Sequence, residues 1–161
     1  MLRNIKGFFD KKIRPAGGVT SSRATARSLQ MATAALLIEA AGADAHVSEV
    51  ELEAVKEGLG SKFGIKEAEI GELMALARQE ADGAVSLYEF TSLIDKGFKY
   101  VDKRHIIELL WEVVYADSLL EKHEEHLVRR IADLLQVRHR DFIETKLSVK
   151  KRRLNDMGED K

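Results

Sequence analysis

The chain has 161 residues, 45% hydrophobic and 33% charged, with a formal net charge of −1 and no cysteine. One domain of this size buries a core without staples, and the missing thiols exclude disulfides and every thiolate metal site. No apolar run reaches a membrane span and no signal-peptide pattern opens the chain, so the expected location is cytoplasmic, with membrane association left to the N-terminal helix.

Charge is spread unevenly. Residues 1–30 carry seven Lys/Arg against one Asp, residues 31–125 carry nine against twenty acids, and residues 126–161 carry ten against six. An acidic body between basic ends fits anionic partners for the ends, cations for the middle, or ordinary solubilising charge.

Apolar spacing is helical almost throughout and Pro15 is the single proline. The expected fold is all-α, a compact single-domain bundle of about seven helices with an internally repeated helical hairpin. Helices are predicted over 2–12, 22–43, 49–60, 66–81, 87–97, 102–116, 120–137 and 139–152. Domain organisation reads as an N-terminal amphipathic helix and Pro/Gly linker (1–20), a helical domain (21–150) and a charged C-terminal tail (151–161).

The first helix, MLRNIKGFFDKKI, sets Leu2, Ile5, Phe8, Phe9 and Ile13 near one face among basic residues. That face suits an anionic membrane surface or a partner, anchored through Leu2, Ile5, Phe8 and Phe9. It equally suits the chain's own bundle, the commoner outcome for a short amphipathic helix. RPAGGVTSS, residues 14–22, interrupts the periodicity as a linker. At the other end VKKRR lacks aromatic interleaving or a nucleic-acid motif, so it reads as a frayed, solvated tail, weak as a phosphate binder.

Three corners share Ala-Asp-(x)6-Glu: Asp44 with Glu51, Asp82 with Glu89, and Asp117 with Glu124. Aligning LLIEAAGAD with LLWEVVYAD matches Leu36 to Leu109, Leu37 to Leu110, Glu39 to Glu112 and both acidic pairs, a helical hairpin repeated about 73 residues apart. Capping explains part of this. Ser48 with Glu51, and Ser86 with Glu89, have the spacing of a capping box, with Val47/Leu52 and Val85/Phe90 as staples. At the third corner Glu121 stands where Ser48 stands in the first. A helix capped by Ser118 and Glu121 would leave Glu124 with no capping duty. The aspartates violate a local rule, because the carbonyl end of a helix disfavours negative charge, although Asp also bonds turn amides.

The functional counterpart is a cation site. Asp44, Glu51, Asp117 and Glu124 gathered in one pocket would repel unless a cation or protons offset them. Oxygen ligands suit Ca²⁺, Mg²⁺ or Mn²⁺, and His46 and His123 would add imidazole for a transition metal. The corner is too short for an EF-hand. HEEH, residues 123–126, lacks the i, i+4 histidines of a zincin and reads as a solvated face. No nucleophile–base pair or phosphate loop appears, which leaves an enzyme the least supported class.

The two A-D-x-x-[VL]…E hairpins, with YEFTSLI and LLWEVVYADSLLEKHEEHLVRRIADLLQV, resemble the TerB-like tellurite-resistance family over about residues 24–147. The resemblance implies a compact fold of about seven helices with no established enzymatic activity. It also implies a stress-response role beside partner proteins, in systems whose other members bind calcium. It places a metal-binding or interaction surface at Asp44, Glu51, Asp117 and Glu124. The glycine usual after each corner aspartate is Ala45 and Ser118 here, kept only as Gly83, so a backbone that needs positive φ would be strained there.

Overall fold

A computed structural model describes residues 2–13, 25–79, 83–117, 120–121 and 124–159. The described residues form eight α-helices and one π turn, with no strand. α1 (Leu2–Phe8) runs directly into the π turn Phe9–Ile13. It is followed by α2 (Ala26–Ala43), α3 (Glu49–Phe63), α4 (Glu67–Gln79) and α5 (Gly83–Gly97). α6 (Tyr100–Tyr115), α7 (Glu125–Leu134) and α8 (His139–Glu159) complete the chain. No helix among the described residues is long and apolar enough to cross a membrane.

The centre is α2. Its run Met31–Ala41 is buried on every side, and a helix that is apolar all round needs neighbours all round. It has them: α3, α4, α5, α6, α7 and the N-terminal π turn all pack on α2, while α8 lies along α6. Thr25 starts α2, its hydroxyl accepting the Ser28 amide at 3.0 Å.

Ile5, Phe8, Phe9 and Ile13 are all at most 5% exposed. Phe8 meets Phe90 edge to face, Phe9 packs on Phe98, and the Ser28 hydroxyl donates to the Ile13 carbonyl. Gly97 makes room for this, since a Cβ there would stand 3.2 Å from the Phe9 ring. The anchor expectation is therefore corrected in this conformation: Ile5, Phe8 and Phe9 face the core, where burial of an aromatic outweighs an exposed role. Leu2 lies on the same helix. The predicted linker, residues 14–22, lies wholly outside the described residues.

Two helix limits also differ from expectation. α5 starts at Gly83, so Ser86 lies inside the helix and cannot be its N-cap. α8 continues to Glu159, which makes the predicted frayed tail helical. The start of α8 is held by Asp141, which accepts from the Tyr100 hydroxyl and from Arg104 Nε at 3.1 Å. The Tyr100 hydroxyl first, and Arg104 with it, keep the Asp141 carboxyl below the usual range.

Between α7 and α8 the chain turns by a left-handed residue. Gln136 has φ 61°, with Val137 N–H bonded to the Ala132 carbonyl at 2.9 Å and Gln136 N–H to the Asp133 carbonyl at 3.1 Å. This is the Schellman pattern, with glutamine where glycine is usual. The amide Nε2 of Gln136 donates to Asp95 at 2.9 Å, holding the turn against α5.

Candidate functional site

The corner after α2 is built by Asp44, which ends the helix as its C-cap. Its Oδ1 accepts the His46 amide at 2.8 Å, a local turn bond, and lies 3.3 Å from His46 Nδ1. Its Oδ2 is 2.6 Å from Nε2 of His126, at the start of α7. Burial pushes the Asp44 carboxyl up, but the His46 amide and the His126 and His46 rings outweigh it and hold the group below the usual range. Ala45 carries no positive φ, so the backbone strain expected from an alanine at this corner does not arise.

Ser48 then caps α3. Its hydroxyl accepts the Glu51 amide at 3.1 Å, and Glu51 Oε1 accepts the Ser48 amide at 2.9 Å, completing the predicted capping box. Val47 and Leu52 both pack against the core. The box buries Glu51 to 8% exposure with a carboxylate still to accommodate.

Glu124 stands at the N-cap position of α7, with no side-chain capping bond and 1% exposure. Neither carboxylate oxygen meets a hydrogen-bond donor among the described residues. Burial, then the adjoining Glu51 carboxyl, then the charge of Asp44, push its pKa up to about 8. Two carboxylates side by side are both acceptors, so a hydrogen bond between Glu124 and Glu51 exists only when a proton is held between them.

Two of the four predicted carboxylates, Glu51 and Asp44, thus act on a third, Glu124. Asp117 follows the end of α6 half-buried, its carbonyl accepting the Glu121 amide at 2.9 Å, and is not among the charges that act on Glu124. Among the described residues no three His, Asp or Glu side chains stand in the arrangement of a preformed metal site. His46 is almost wholly exposed. His123, Ser118 and Asp82 fall outside the described residues. Glu89 lies half-buried within α5, so the middle corner has no capping box.

One member was not singled out from the sequence. His126 belongs to HEEH, expected to face solvent; it is exposed and also reaches Asp44 across 82 positions. Its only sequence signal is its place two residues after Glu124.

A family model described as tellurite resistance protein TerB matches residues 30–147. The chain belongs to the TerB family. The TerB match spans both hairpins, from the middle of α2 into α8, and so contains Asp44, Glu51, Asp117 and Glu124. α1 and the last turns of α8 lie outside it. No curated protein and no solved structure matches the chain significantly.

Proposed function

We propose that this TerB chain is a non-catalytic module of a tellurite-resistance-like stress response, and that its acidic corner takes up a divalent cation, Ca²⁺, Mg²⁺ or Mn²⁺, or a basic group of a partner protein. The observation that carries this is Glu124: a buried carboxylate that meets no donor among the described residues, beside Glu51 and within the field of Asp44. Such a cluster is at rest only when something positive enters it. With no cation, that is a proton shared between Glu124 and Glu51. Binding of a hard cation would displace the proton, so uptake is coupled to proton release. Closing the site requires side-chain movement, because the three carboxylates are not yet in a ligating arrangement.

The second reading is an adaptor without metal, in which the acidic pairs are caps and the partner surface lies elsewhere. Two contacts favour it: Glu51 is engaged in the capping box, and both oxygens of Asp44 have partners. Calorimetric titration of chelator-treated protein with each cation at pH 7.5, in two buffers of different ionisation enthalpy, separates the readings. Saturable binding with proton release, lost in Glu124→Gln, supports the cation site. No heat with any cation, alongside a folded protein, leaves the adaptor.

A further inference from the structure

On the flank formed by α3, α6 and α8 lies an open cavity of about 390 Å³ that shares no residue with the acidic corner. Lys62 enters from the last turn of α3, Glu112 and Tyr115 from the last turn of α6, and Arg152, Arg153 and Asp156 from α8. Its volume is in the range of small-molecule sites, roughly 300–1,000 Å³.

The charges around it are not equivalent. Arg152 is already paired, with Glu108 at 3.0 Å and Glu112 at 3.4 Å. Lys62 and Arg153 have no ion pair or hydrogen bond among the described residues. Both line one concavity, and a guanidinium together with an ammonium is a common set for a phosphate. Asp156 adds an acceptor on the same helix, which excludes a bare polyanion from the whole cavity but accepts from a hydroxyl.

We propose that this cavity binds a small hydroxylated phosphomonoester, its phosphate between Lys62 and Arg153 and its hydroxyl-bearing body toward Asp156. The Lys-Arg-rich stretch of α8 thereby gains a role that its composition alone does not assign. The helical backbone through Asp156 is what aims Arg153 and Asp156 at the same cavity.

The chain reports on this site by itself. Trp111, its one tryptophan, stacks on Tyr115 with ring centroids 5.5 Å apart and planes at 15°. Tryptophan fluorescence of the full chain would be titrated with glycerol 3-phosphate and with inorganic phosphate, ionic strength being matched with sodium chloride. The pocket pair Lys62→Gln/Arg153→Gln is compared with Lys150→Gln/Lys151→Gln, an exposed pair outside the cavity with the same charge change. Saturable binding, tighter for the ester than for inorganic phosphate, weakened at least ten-fold in the pocket pair and less than two-fold in the control pair, is expected. Equal weakening in both pairs, or no saturable change in folded wild-type protein, overturns the proposal. Displacement of the ester by phosphatidic acid vesicles, but not phosphatidylcholine vesicles, would make a lipid headgroup the source; no displacement would make it a soluble ester.

Discussion

Replacing Glu124 by glutamine isolates the charge problem at the corner. The amide keeps the shape of the side chain, donates to Glu51 and does not titrate. In the wild-type chain Glu124 has its pKa raised from 4.5 to about 8, a span of about 5 kcal/mol at ~1.36 kcal/mol per pH unit for a fully desolvated group. Screening at a corner near the surface lowers this to about 2 kcal/mol. The folded chain keeps the proton until about pH 8, whereas the unfolded chain releases it near 4.5. Its stabilising contribution is therefore complete below the unfolded value and is lost as pH rises through the folded one. Urea denaturation of both proteins in chelating buffer at pH 5 and pH 8.5 measures the effect. Glu124→Gln should equal wild type within about 0.5 kcal/mol at pH 5 and exceed it by about 2 kcal/mol at pH 8.5. That gain corresponds to about 4–8 °C in Tm. A difference between the two proteins that is the same at both pH values would refute the shared-proton account, since other titrating groups cancel in the comparison.

Asp44→Ala should cost about 1 kcal/mol at neutral pH by orphaning the His46 amide and the His126 ring. Because that carboxyl is held below its usual range, the penalty should fade in acid as the group protonates in both states, which denaturation across the acid range will show. Phe9→Ala should cost about 3–5 kcal/mol in thermal or urea unfolding, as a buried aromatic does. An unchanged stability with reduced vesicle binding would instead restore the anchor. Gln136→Gly should be nearly neutral in the wild-type background, relief of about 1 kcal/mol of left-handed strain offsetting the lost bond to Asp95. In an Asp95→Ala background the same change should stabilise by about 1 kcal/mol, read by urea unfolding.

Helices were legible because their signal is local and repeated. Ile107, Leu110, Trp111 and Val114, which stand at the i, i+3, i+4, i+7 spacing of a helix face, are all fully buried in α6. The capping box at Ser48 was legible for the same reason, as four residues contain the whole interaction. The matching motif at Ser86 misled, because α5 already starts at Gly83 and leaves Ser86 inside the helix. Glu124 was set apart by a negative sign, the glutamate at position 121 where a capping serine would be, and its side chain makes no capping bond. What no local pattern contains is contact across the chain: His126 on Asp44, Glu124 against Glu51, and the cavity that joins Lys62 to Arg153. Nor does composition signal a left-handed glutamine, whose compensating bond to Asp95 spans 41 positions.

Glu51 and Glu124 are counterparts in the repeat, and in the folded chain they are neighbours. A residue that meets its own duplicate cannot be complemented by sequence choice in the usual way, for any charge placed there is met by the same charge. Opposite signs become available once the copies diverge, and here divergence took another course. The serine that occupies the first glutamate with α3 has no equivalent at position 121. One twin is thereby tied to its helix end, while neither oxygen of the other meets a donor among the described residues. A single unlike position, three residues upstream of Glu124, has turned a symmetric repulsion into an asymmetric pair with one fixed and one exchangeable member.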